Sequence, residues 1–150
     1  MTKSFKGRMV IGGATTGAAL VSSSGFNPLA AYCNAIVDKT TNALCADRQN
    51  PDLLGKDMAA RVLCVPSCIG STTAGPVWEY VASNGIAPKA LLLTKPVDSL
   101  TAGGMVLAKI WIGEPIVLVD DLGEEFLSSV RDGDILRIEP DGRVWIDNVC

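Results

Sequence analysis

The chain contains no histidine. That removes the side chain that most often moves protons near neutral pH, and with it any Ser–His–Asp or Cys–His arrangement for nucleophilic catalysis. Aromatic residues make up only 5% of the chain, which leaves a single-strand nucleic-acid binder short of stacking platforms. A basic stripe is missing as well. Lys and Arg number 13 against 16 Asp and Glu, a net charge of −3, and this argues against a phosphate-backbone partner. No apolar run approaches the roughly 20 residues of a membrane-spanning helix. The segment from Met1 to Val10 is too polar for a secretory leader. The expectation is a cytoplasmic protein with neither nucleic acid nor membrane as partner.

Cysteine is present but in no recognisable framework. Five thiols stand at 33, 45, 64, 68 and 150, an odd number that suits reduced thiols in a cytoplasm. Cys64 and Cys68 are four apart, which is not the spacing of a zinc or ferredoxin-type site. With no histidine to complete a ligand set, no self-contained metal site is expected.

What is present is a single domain's worth of core. At 150 residues with 48% hydrophobic composition, one domain over 1–150 can bury a substantial interior. Charge is uneven. Residues 1–61 carry seven basic and four acidic side chains, and residues 62–150 carry six and twelve. The second half therefore has an acidic rim, a solvated face or one that meets a basic partner.

Met9–Gly12 and Ala18–Ser22 are short apolar pieces around Gly-Ala-Thr-Thr-Gly, and the pattern predicts two strands around a turn. Asn34–Asp38 is a further possible strand, and Arg48–Lys56 is a loop. Arg61–Val65 is a buried strand. A helix follows over Ala74–Ser83, capped by Thr72 or Thr73, with Pro76 tolerated in its first turn and Gly85 ending it. Lys89–Thr94 and Pro115–Val119 are strands, with a helix over Ala102–Trp111 between them. This order implies parallel pairing with right-handed crossovers. Asp134–Glu139 and Arg143–Asp147 flank Pro140-Asp141-Gly142 as a β-hairpin. The fold class is α/β, a layered β/β/α domain.

The chemistry centres on Val65-Pro66-Ser67-Cys68-Ile69-Gly70-Ser71-Thr72-Thr73. A loop of small residues between a strand and a helix aims backbone N–H groups and three hydroxyls at one spot, beside the positive end of a helix. The lysine of a Walker loop is missing, and so is the Gly-x-Ser-x-Gly of a nucleophile elbow. A helix cap alone would account for the composition. A serine there becomes a base only if its alkoxide is stabilised, by N–H groups and a nearby cation. Lys95 could approach from a strand end, or a second polypeptide could supply the charge. Ser22–Pro28 is a second candidate loop. Asp120, Asp121, Glu124 and Glu125 form an acidic cluster that a helix start at Glu124–Val130 explains. Cys68 is either a reactive thiol at a helix start or a lining thiol.

Seven segments carry a resemblance that covers most of the chain: Gly17–Ser22, Val37–Asn42, Pro51–Lys56, Arg61–Ser67, Gly70–Thr73, Gly85–Ala90 and Pro96–Asp98. Each is short, and their order and spacing make the match specific. Together they resemble the small, swivelling part of the aconitase X family. The resemblance implies the swivelling β/β/α fold of the last domain of aconitases. It implies a hydro-lyase, active only with a large aconitase X subunit that holds a cysteine-bound iron–sulfur cluster. By motif position Ser71 is the base, and Cys68, Ile69, Gly70, Thr72 and Thr73 border the substrate. Many members have Gly-Arg where Cys68-Ile69 stand, and the missing guanidinium argues against a phosphorylated substrate. The family includes phosphomevalonate and hydroxyproline dehydratases. The resemblance with this departure points to dehydration of cis-3-hydroxy-L-proline to pyrroline-2-carboxylate. The alternatives are phosphomevalonate dehydration, or a non-catalytic anion-binding swivel module.

Overall fold

The computed structural model describes residues 2–147, so Cys150 lies outside the described residues. Eight strands form one sheet in the order β1-β8-β7-β3-β4-β5-β6-β2. They are β1 (Lys3–Lys6), β2 (Arg8–Ile11), β3 (Thr15–Val21), β4 (Val62–Val65), β5 (Ala90–Leu93), β6 (Val117–Asp120), β7 (Ile135–Ile138) and β8 (Arg143–Asp147). The helices are α1 (Pro28–Ala31), α2 (Cys33–Asp38), α3 (Ala74–Ser83), α4 (Ser99–Leu107) and α5 (Glu124–Ser129). A π-helical turn, Ala108–Ile112, continues α4.

β3, β4, β5 and β6 run parallel. Each of β4 and β5 is buried along its whole length, as expected of strands covered on both faces. Successive side chains alternate between two cores. Leu63, Val65, Leu91 and Leu93 join Trp78 and Val81 of α3 and Met105 of α4. Val62, Cys64, Ala90 and Leu92 face Leu136 and Ile138 of β7, Val144 and Ile146 of β8, and Phe126 of α5. Helices thus cover one face of the parallel strands and an antiparallel β layer covers the other. β3 joins the layers: Thr15–Ala18 pair antiparallel with β7, and Ala19–Val21 pair parallel with β4.

Three expectations need correction. Asn34–Asp38 is not a strand but most of α2. Its Ala-Ile-Val composition suits a strand locally, but Ala35 is buried in the helical core, and Lys39 in the left-handed region ends the helix. β2 and β3 exist but do not pair across Gly12–Thr16. β2 crosses to the far edge and pairs with β6, locked by Arg8, whose Nε and Nη2 lie 2.9 and 2.6 Å from the two carboxylate oxygens of Asp120. The fourth helix begins at Ser99, three residues before Ala102, because the Asp98 carboxylate accepts from the Thr101 N–H at 2.9 Å and caps it.

Glycine sets how close α3 and α4 come. A Cβ on Gly104 would stand 2.5 Å from the Gly75 carbonyl oxygen, so only glycine at 104 permits this crossing. The contact brings the start of α4 beside the loop that precedes α3.

Candidate functional site

The loops after β3, β4 and β5 leave the carboxyl ends of the parallel strands, where open α/β sheets place their ligands. Two of them are knitted together. Phe26 N–H donates to Ser67 O and Ile69 N–H to Phe26 O, each at 2.8 Å, forming a parallel bridge between Phe26 and Cys68. A Cβ on Gly25 would meet the Ile69 side chain at 2.7 Å. Phe26, Tyr32 and Trp78 pack under this junction with ring centroids 5.8–6.4 Å apart. The first loop is braced from behind. Ser22 Oγ donates to Asn50 Oδ1 at 2.9 Å. The Ser23 N–H and hydroxyl reach Asp52 Oδ2 at 2.9 and 3.0 Å, and these bonds hold the Asp52 carboxyl below its ordinary range. Ser22–Pro28 is therefore a brace for the loop that follows β4.

A cavity of about 180 Å³ opens between the β4 loop and the start of α4, lined by Cys68, Ile69, Gly70, Ser71, Ala74, Asp98, Leu100 and Thr101. Four of the six sequence candidates meet in it. Thr72 is exposed and lines no part of it. Thr73 lies behind Ser71 and borders a separate apolar groove with Leu29, Ile36, Pro76, Val77 and Tyr80.

Thr73 is the residue before α3, but its side chain does not cap that helix. Its N–H lies 3.2 Å and its hydroxyl 2.9 Å from Ser71 Oγ. Both can donate to that oxygen, at the N-terminal end of a ten-residue helix, where the dipole favours negative charge. Ser71 itself is half-buried. Gly70, at φ 102°, is in a region that glycine enters freely.

The electrostatics of the cavity are one-sided. Asp98 is its charged lining residue, and neither lysine nor arginine lines it; Lys95 does not reach it. Burial pushes the Cys68 thiol up to about 12, against a smaller opposing influence of the Thr101 hydroxyl, and the charge of Asp98 adds to the rise. Cys68 is thus a lining thiol and not a poised thiolate. The acidic cluster is dispersed into structural tasks: Asp120 binds Arg8 and the Val97 N–H, and Glu125 pairs with Lys3 at 2.9 Å. Among the described residues no group of three Cys, Asp or Glu side chains could hold a metal ion, and none of their helices is long and apolar enough to cross a membrane.

Sequence reasoning did not place Asp98, Leu100 and Thr101 at the site. The available signal was Asp98 itself, an acidic residue three positions before a buried helical threonine, which is an N-cap pattern. Starting the helix at Ala102 hid it.

A parallel sheet lined by helices on one face and an antiparallel β layer on the other, with its loops gathered around a small cavity, defines a swivelling β/β/α domain. The sequence description of the aconitase X swivel domain matches residues 4–146, and the chain belongs to that family. It is similar to the phosphomevalonate dehydratase small subunit of Aeropyrum pernix, 32% identical over 142 residues that cover 95% of this chain and 92% of the relative. The phosphomevalonate dehydratase small subunit of Archaeoglobus fulgidus is 30% identical, covering 91% and 92%. In three dimensions the chain superposes on aconitase X of Thermococcus kodakaraensis in its holo form with a TM-score of 0.80 at 24% identity, over 97% of this chain and 99% of that one. A UPF0107 protein solved in solution gives 0.78 at 26% identity, over 97% and 100%.

Proposed function

We propose that this chain is the small subunit of an aconitase X-type hydro-lyase that dehydrates cis-3-hydroxy-L-proline, with Ser71 as the base. The observation that carries the reading is the surroundings of Ser71 Oγ: two donors from Thr73 within 3.2 Å, at a helix N-terminus, on the lip of a cavity. These groups stabilise negative charge on that oxygen. The alkoxide takes the proton from C2 of the ring, the freed electron pair becomes the C2–C3 double bond, and hydroxide leaves C3. The enamine so formed tautomerises to pyrroline-2-carboxylate.

The described residues of this chain do not fit an iron–sulfur cluster as ligands, so the reading assigns any cluster to the large subunit. The exposed side chains of Ile69 and Leu100 border the cavity, an apolar rim suited to closure by a second subunit. The absent cation falls to that partner as well.

Phosphomevalonate is the second reading, favoured by the names of the relatives. Against it stands the charge of the cavity: an Asp98 carboxylate without Lys or Arg is a poor host for a phosphate and a good one for a ring ammonium. Co-purification with the large subunit, followed by assay of both substrates side by side, decides between them. Turnover of phosphomevalonate alone overturns the hydroxyproline reading. Turnover of either substrate by Ser71→Ala at the wild-type rate leaves a non-catalytic swivel module.

A further inference from the structure

Backbone hydrogen bonds from Phe26 to Ser67 and from Ile69 to Phe26, each at 2.8 Å, hold the β4 loop as far as Ile69. The next residue, Gly70, is exposed and sits at φ 102°, where a glycine backbone keeps its freedom. At this point a side chain of the facing loop takes over. A Cβ on Gly70 would stand 2.6, 2.7 and 2.8 Å from Nδ2, Cγ and Oδ1 of Asn27. Three nearly equal distances mean that the amide lies face-on to Gly70, a flat plate against one side of its Cα. The plate is pinned, because Oδ1 accepts from the Ala30 N–H at 3.2 Å and caps α1. A serine would cap that helix as well, so capping alone does not call for a side chain that reaches Gly70.

We propose that Asn27 is a positioning residue for Ser71, its amide fixing Gly70 on one side of the serine while Thr73 fixes the hydroxyl from the other. This rests on the reading of Ser71 as the base. The Thr73 N–H and hydroxyl reach Ser71 Oγ at 3.2 and 2.9 Å, and those distances hold only while the Gly70–Ser71 peptide keeps its orientation. A base must also lie within hydrogen-bond reach of the proton it takes, and a shift of about 1 Å costs on the order of a hundredfold in rate. Asn27 touches no reacting atom in this scheme and acts through Gly70 alone. Its removal should therefore slow the chemical step more than it weakens binding.

The test uses the assembled two-subunit enzyme and whichever of cis-3-hydroxy-L-proline and phosphomevalonate the wild type turns over. Asn27→Ser keeps a cap for α1 but withdraws the side chain from Gly70. It is expected to lower kcat on the order of tenfold or more, with KM changed less than about threefold. The free Asn27→Ser subunit should melt within about 2 °C of wild type. Asn27→Asp has the shape of the amide and caps equally well, so it should restore most of the kcat at the plateau of its pH profile. In a Ser71→Ala background the Asn27→Ser change should cost less than about twofold, since a residue that acts through Ser71 then has nothing to position. Wild-type kcat in Asn27→Ser, with Ser71→Ala impaired, overturns the assignment of Asn27 alone. An equal loss in both backgrounds, or a loss that Asn27→Asp does not restore, overturns it too. Wild-type turnover by Ser71→Ala, or a wild-type complex that turns over neither substrate, overturns the reading of Ser71 and this inference with it.

Discussion

The backbone of Gly70 rests against the amide of Asn27: a Cβ at position 70 would stand 2.6 Å from Asn27 Nδ2 and 2.8 Å from Oδ1. Asn27 is not free to retreat, because its Oδ1 accepts from the Ala30 N–H at 3.2 Å and starts α1. Gly70→Ala therefore meets two penalties, an alanine at φ 102° and a displaced helix cap. Together they are worth about 2 kcal/mol. At roughly 2–4 °C per kcal/mol for a domain of this size, Tm should fall by about 4–8 °C. Activity of the assembled enzyme should fall much further, since Ser71 is the next residue. Calorimetry and a turnover assay on one preparation check both.

Ser71→Ala should lower kcat by a factor of about 10²–10⁴, the usual contribution of a general base, while gel filtration still shows the two-subunit assembly. Thr73→Val removes only the hydroxyl donor to Oγ, so its loss of kcat should be smaller, on the order of tenfold. If the two variants lose the same activity, Thr73 supplies more than a hydrogen bond to Ser71.

Thiol chemistry should separate the cysteines by position. Cys33 is exposed, Cys45 and Cys64 are buried, and burial pushes the Cys68 thiol up to about 12. Iodoacetamide at pH 8 should therefore label Cys33 in the folded chain and reach 45, 64 and 68 only on unfolding. Mass mapping of peptides after timed labelling checks this. Rapid labelling of Cys68 would mean a thiolate at the site.

The Arg8–Asp120 clamp gives a pH dependence of definite sign. Burial works to raise the Asp120 carboxyl, but the Arg8 guanidinium and the Val97 N–H outweigh it and hold the group below the ordinary carboxylate range. A depressed carboxyl stabilises the fold above its unfolded pKa of about 3.9, and this contribution fades as pH falls through the lower folded value. Arg8→Met should thus lower Tm at pH 7, and the gap to wild type should narrow in acid. A gap constant down to pH 2 would mean that the arginine acts through packing alone.

Where local pattern and tertiary contact agree, the sequence was legible. α3 occupies the ten predicted residues because Val77, Trp78, Val81 and Ala82 share one apolar face and Gly85 stops the chain at φ 68°. The terminal hairpin was equally plain, with Gly142 turning at φ 88°. The errors lie where distant residues decide. Nothing in Met9–Ile11 announces that its partner is 107 to 110 residues further on, at Leu118–Val119. Nothing in Ala35-Ile36-Val37 reveals that a helical core awaits Ala35. At the site, the Ser71 loop could be read from small residues before a helix. The N-cap at Asp98 has a local signal, but its placement opposite the Ser71 loop does not, since Asp98 and Thr101 arrive there through a glycine-mediated helix crossing.

The strand shared by both ladders has a mechanical consequence. The Ser22–Asn27 loop follows β3, which runs directly from the antiparallel layer into the parallel one with no loop between them. Neither layer can peel away while the other stays intact. The fluorescence of Trp78, buried in the helical core, and of Trp145, on β8, should therefore change together in denaturant.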